Sequence, residues 1–94
     1  MLENIVYLEL IRRGYHVCIG KVGDLKIDFV AERSGEKRYY QVAATVMDES
    51  ILARELAPLK RVQDNYPKYI ITMDDLPMDE KGIMVVNVMD FLME

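Results

Sequence analysis

Two short turn signals, Gly23-Asp24 and Ser34-Gly35, divide residues 15–44 into three segments, and this division constrains the fold more than any other feature. From Tyr15 to Val22 the side chains alternate, with Tyr15, Val17 and Ile19 on one side and His16, Cys18 and Gly20 on the other. Leu25–Arg33 places Ile27, Phe29 and Ala31 on one face, and Lys37–Ala44 is rich in Tyr and Val. Apolar alternation with a period of two, bounded by Gly, Asp and Ser, marks strands. Strands joined by turns this tight pair as an antiparallel meander.

Helical signals flank the meander. Leu2–Arg13 contains no Gly or Pro, and Gly14 follows as a natural C-terminal stop, with Arg12 and Arg13 in the last turn. Its apolar residues (Leu2, Ile5, Val6, Leu8, Leu10, Ile11) spread around the circumference, the pattern of a helix covered on more than one side. No capping residue precedes it, as expected of a segment cut from a longer protein. Asp48 is placed to cap a second helix running to about Asp64, with Leu52, Leu56 and Leu59 as its apolar stripe. Pro58 is expected to kink or split that helix. Tyr66–Thr72 reads as a buried strand, Asp74–Gly82 as a loop around Pro77 and Ile83–Val86 as a short strand. Asn87 caps a last helical turn, with Asp90 as its capping-box acid. The expected order is α-β-β-β-α-β-β-α, an α/β fold with a mixed sheet flanked by helices.

Composition narrows the function. Ninety-four residues, 51% of them hydrophobic, make one domain with a modest core. Sixteen acids against twelve Lys and Arg leave a net charge of −4. Dedicated nucleic-acid binders carry a basic surplus, because phosphate neutralisation supplies most of their affinity, so the balance argues against autonomous DNA binding. Cys18 and His16 are each the single residue of their type, which excludes an internal disulfide and a structural zinc site. No signal-peptide pattern is present, and no apolar run approaches the ~20 residues that span a bilayer. A cytoplasmic location with no membrane partner is the expectation.

There is no P-loop and no G-x-S-x-G motif, and Gly20-Lys21 lacks the residues a P-loop needs around it. The chemistry-bearing residues are those that interrupt the strands: Asp28 in Lys26-Ile27-Asp28-Phe29-Val30 and Gln41 in Tyr40-Gln41-Val42-Ala43. If Ser34-Gly35 is a two-residue hairpin, Asp28 lies opposite Gln41 and Lys26 opposite Ala43. Side chains so paired have Cβ atoms about 4.5–5.5 Å apart. A three-residue loop would shift the register and separate them. The simpler alternative is that both belong to a solvated sheet face. Tyr39 and Tyr40 read as strand formers, and Arg54, Lys60 and Arg61 as the solvated side of an amphipathic helix. Cys18 reads as a small strand hydrophobe and His16 as a surface strand residue.

A helix bearing Glu3, a strand bearing Asp28 and a hairpin strand bearing Gln41 resemble the pattern of PD-(D/E)xK nucleases, whose core order is α-β-β-β-α-β. Glu3, eleven residues before Gly14, is similar to the helix acid of archaeal Holliday-junction resolvases. Asp28 matches the metal-binding aspartate and Gln41 the E/Q position, while Ala43 stands where the catalytic lysine belongs. Within that group the chain resembles the C-terminal domain of unknown function in a set of prokaryotic AAA-type ATPases. That likeness runs through Leu2–Leu10, Arg12-Arg13-Gly14-Tyr15, Ile27–Ala31, Gln41-Val42-Ala43, Asp64–Tyr69 and Asp90-Phe91-Leu92.

The resemblance implies a restriction-endonuclease-like core over residues 1–94, at the C-terminal end of a larger ATPase. It implies Glu3, Asp28 and Gln41 as the metal positions, a vestigial or weak set, with Mg²⁺ as the cofactor if the site is live. The N-terminal ATPase module of the same chain is the implied partner, with DNA and a second copy as further candidates. In nuclease chemistry a carboxylate-held Mg²⁺ activates water and stabilises the phosphate, and lysine helps position that water. Losing such a group commonly costs ~10²–10⁴ in rate. The expectation is therefore a degenerate module serving recognition or regulation. Two alternatives stand beside it: a metal-dependent DNA endonuclease in which Lys26, or less directly Lys21, substitutes for the missing lysine, and a protein-interaction or dimerisation domain.

Overall fold

A computed structural model describes residues 1–94. The chain opens with α1 (Leu2–Arg12), followed by β1 (His16–Val22), β2 (Leu25–Arg33) and β3 (Glu36–Val42). These three strands form the antiparallel meander expected from the turns. Ser34 and Gly35 have φ of 51° and 83°, the left-handed pair that a two-residue hairpin needs to match strand twist. The register follows from that turn, from Arg33↔Glu36 to Phe29↔Tyr40.

β2 carries a bulge. Cys18 pairs with Val30 and Gly20 with Ile27, so Asp28 and Phe29 together stand against the single residue Ile19. The extra residue breaks the alternation expected for β2. Ile27 and Val30 both join the core on one face of the sheet, while Phe29 and Ala31 serve the other. Bulges bend a strand and re-aim its side chains. Here the β2–β3 ladder ends at Phe29↔Tyr40. Lys26 does not lie opposite Ala43 as expected; it pairs with Lys21 of β1, and the Ala43 N–H donates to Ile71.

Helix α2 (Glu49–Arg61) begins where Asp48 accepts hydrogen bonds from the Ser50 and Ile51 N–H groups. It runs unbroken through Pro58, contrary to the expected split. Pro58 lies in the last turn, so its missing N–H forfeits a single bond, to the Arg54 carbonyl. Next come β4 (Lys68–Thr72), β5 (Met78–Glu80), β6 (Ile83–Asn87) and α3 (Val88–Leu92), the last capped by Asn87. β5 corrects the expected loop and adds a strand to the element order. It turns into β6 at Lys81 and Gly82, with φ of 53° and 88°. Lys is an unusual residue at a left-handed turn position, and this hid the hairpin.

The sheet order is β1-β2-β3-β4-β6-β5. β4 is parallel to both β3 and β6, and β5 is antiparallel to β6. α1 and α3 cover one face, where Val6, Leu10, Val88 and Phe91 pack on Tyr40 and Ile71. α2 covers the other, where Leu56 and Leu59 pack on Ile27, Ile70 and Val85. No helix is long and apolar enough to cross a membrane.

Candidate functional site

The site lies where β2 and β3 part. With the backbone ladder ended, side chains take over its hydrogen bonds. The Asp28 N–H donates to Gln41 Oε1 at 2.8 Å, and the Val42 N–H donates to Asp28 Oδ2 at 2.9 Å. The Gln41 Nε2 donates to the Glu55 carbonyl of α2 at 3.2 Å. Gln41 is 3% exposed, so its two amide ends tie β2, β3 and α2 together inside the fold. Unpaired polar groups at such depth would be costly, and this arrangement leaves neither end of the amide unpaired.

Asp28 keeps its second carboxylate oxygen for the lysine. Lys26 Nζ stands 3.5 Å from Asp28 Oδ1, with the Lys26 side chain 59% exposed and that of Asp28 15%. Ala43 is partly buried against the α2 side of the core and offers no functional group. Glu3 is exposed on α1. Sequence reasoning missed Glu55. Burial raises the pKa of its carboxyl, the charges of Asp28 and then Glu3 add to the rise, and Arg54 opposes them. A signal for it existed: Glu55 sits one position before Leu56, the centre of the helix stripe that faces the sheet.

The structure therefore brings Asp28, Gln41 and Lys26 together and sets the Glu3 and Glu55 charges within reach of the same place. Mg²⁺ takes hard, charged oxygens in near-octahedral geometry and keeps several waters. Of the expected ligands, Gln41 Oε1 and Asp28 Oδ2 are committed to backbone N–H groups. No three His, Cys, Asp or Glu side chains are placed to share an ion. As arranged, these residues do not fit a resident Mg²⁺.

The other motif residues are structural. Asp64 Oδ2 accepts from the Tyr39 hydroxyl at 2.6 Å, and Asp64 Oδ1 accepts from Lys68 Nζ at 2.9 Å. Lys68 also donates to the carbonyls of Asp64 and Tyr66, which fixes the turn into β4. Burial opposes ionisation of Asp64, but its bonds to Tyr39 and Lys68 hold its pKa below the usual value. At the other end, Arg13 donates to the Phe91 carbonyl, pairs with Glu9 and Glu94, and lies 4.5 Å over the Phe91 ring. This arginine fastens α3 to α1.

A protein of Haemophilus influenzae, described only as uncharacterized, is 40% identical to the chain over 94 residues, 99% of its length. The chain spans 23% of that relative. No family model matches the chain, and no solved structure matches it.

Proposed function

We propose that this chain is a nuclease-like accessory module that recognises or regulates and does not cut, carried in a longer ATPase-bearing protein. Gln41 carries this reading. In the PD-(D/E)xK pattern its position supplies a metal oxygen and the lysine two residues on works beside it. Here the amide is spent within the fold, and position 43 is Ala. A mixed sheet with helices on both faces supports a restriction-endonuclease-like core. The ATPase context rests on the sequence resemblance, and the length of the Haemophilus relative is in keeping with it.

A second reading, a metal-dependent DNA endonuclease with a relocated lysine, is favoured by the Lys26 ammonium lying 3.5 Å from Asp28. One experiment separates the two. Mg²⁺ and Mn²⁺ are titrated calorimetrically into the chain and into Asp28→Asn, which keeps an acceptor for the Val42 N–H, and nicking of supercoiled DNA is assayed in parallel. No binding heat and no nicking at millimolar metal is the expected result. Heat that vanishes in Asp28→Asn, with nicking that vanishes in Lys26→Ala, would overturn it in favour of the endonuclease.

A further inference from the structure

A cavity of about 370 Å³ opens where the C-terminal end of α2, the loop before β4 and the β5–β6 turn meet. Three lysines from three elements line it: Lys60 of α2, Lys68 of β4 and Lys81 of the turn. Asp64 is its one acid, although acids outnumber Lys and Arg in the chain by sixteen to twelve. That acid is already engaged. Asp64 accepts from the Tyr39 hydroxyl and from Lys68, and Lys68 donates further to the Asp64 and Tyr66 carbonyls. Together they make a neutral, braced wall. Lys60 and Lys81 take part in no ion pair. Asp79, in the same hairpin as Lys81, accepts instead from the Gly82 N–H. The cavity therefore holds two uncompensated positive charges in a chain whose net charge is −4.

Position accounts for Lys60 but not for Lys81. A lysine in the last turn of α2 complements the negative end of the helix dipole, as Arg61 does beside it. Lys81 has a φ of 53°, where Asn, Asp or Gly is the ordinary choice. A residue held against its backbone preference points to function when its chemistry serves a site, and this one supplies one of the cavity's two free charges. Asn65 and Tyr66, both exposed on the loop, complete the lining. Tyr66 is held through its main chain, which leaves its side chain free.

Charge and shape select the ligand. A phosphate monoester carries nearly two negative charges and three acceptor oxygens, a match for two lysines that a carboxylate, with a single charge, does not give. The Tyr66 ring offers a face on which a base can stack. The Asn65 amide offers a donor and an acceptor side by side, the pattern that pairs with the edge of adenine. The volume lies at the lower end of the ~300–1,000 Å³ of small-molecule sites. A nucleic-acid strand fits less well, since its further phosphates would run beyond the two lysines over a negatively charged protein.

We propose that this cavity binds a nucleoside monophosphate, with the phosphate on Lys60 and Lys81 and the base on Tyr66 and Asn65. The site shares no residue with the Asp28 and Gln41 junction, so it stands independently of the function given above. Calorimetric titration with AMP tests it, with adenosine, inorganic phosphate and an oligodeoxyadenylate strand titrated in parallel. The expected result is a Kd for AMP below about 1 mM, with adenosine and phosphate each binding more weakly. Lys81→Asn removes the charge and puts a favoured residue in the turn, so it should fold at least as well as the parent. It should bind AMP about tenfold less tightly, the contribution of one charge-assisted hydrogen bond. Lys60→Gln should weaken AMP to the same degree, and Tyr66→Ala should weaken it as well. Lys21→Gln, which removes an equal charge from β1, should bind AMP as the parent does. Absence of AMP binding at about 1 mM, or AMP bound no better than phosphate, would overturn the proposal. So would a folded Lys81→Asn that binds AMP like the parent. An oligodeoxyadenylate that binds more tightly than AMP, and through Lys60 and Lys81, would overturn it too and assign the cavity to nucleic acid.

Discussion

Asp28 and Gln41 bond through each other's neighbourhood in place of a ladder: Gln41 accepts from the Asp28 N–H, and Asp28 accepts from the N–H of Val42, the residue after Gln41. The two side chains thereby hold the strands at the place where the backbone ladder lets go. This makes Gln41 a keystone of the fold, tying β2, β3 and α2 together.

Replacing Gln41 with Leu should therefore be costly. It leaves the Asp28 N–H without its partner and removes a donor from the Glu55 carbonyl. Stranding a buried polar group costs about 1–3 kcal/mol. A loss of that size in urea unfolding, with an unchanged denaturant slope, is the expected outcome. A neutral substitution would mean the amide is not the tie between β2, β3 and α2.

Tyr40 should behave in the opposite way. Its hydroxyl is buried and meets no hydrogen-bond partner, while its ring stacks on Tyr69 at 5.1 Å and meets the Phe91 edge at 5.6 Å. Burial raises its pKa, against the lowering influence of the Arg38 guanidinium. Tyr40→Phe keeps the ring and removes the orphaned group, so stability should be unchanged or higher by up to ~1 kcal/mol. A clear loss would show that Arg38 bonds the hydroxyl in solution.

Much of this arrangement was legible in the residues. Ser34-Gly35 specified a two-residue turn, the turn specified the register, and the register put Asp28 beside Gln41. Asp48 and Asn87 announced their helices because short polar side chains satisfy the first free N–H groups. What escaped was non-local. Nothing in Lys26-Ile27-Asp28-Phe29 distinguishes a bulged strand from a regular one, since the bulge depends on the partner strand, and so the expected pairing of Lys26 with Ala43 failed. Pro58 was misjudged because its effect depends on where the helix ends. The β5 hairpin was missed because Lys81 adopts a turn conformation its chemistry does not favour.

Glu9 should set the acid limit of stability. Hydrogen bonds from Arg12 and then Arg13 lower its pKa from 4.5 to about 2, with burial opposing them. A carboxyl with a depressed folded-state pKa binds fewer protons folded than unfolded. Its contribution is present above the unfolded value and is lost as pH falls toward about 2. Glu9→Gln should cost about 1 kcal/mol at neutral pH, discounted for the solvent around Arg12. It should also flatten the decline in melting temperature below pH 4.5. An equally steep decline in the variant would assign the acid sensitivity to other groups.

Glu55 should act with the opposite sign, and it reports on the candidate site itself. Burial first, then the charges of Asp28 and Glu3, raise its pKa above 4.5. The folded state then holds a proton that the unfolded state has released, so this group's contribution to stability falls as pH rises from the unfolded value through the raised folded one. Glu55→Gln removes that burden while its main-chain carbonyl still accepts from Gln41. The variant should match the parent in acid and become the more stable of the two toward neutral pH, by less than ~1 kcal/mol because the carboxyl is partly solvated. Adding Asp28→Asn should shrink the gain, since it removes the larger of the two repelling charges. A gain that persists undiminished in the double variant would mean that burial alone strains Glu55 and that the acids at the strand junction do not feel one another.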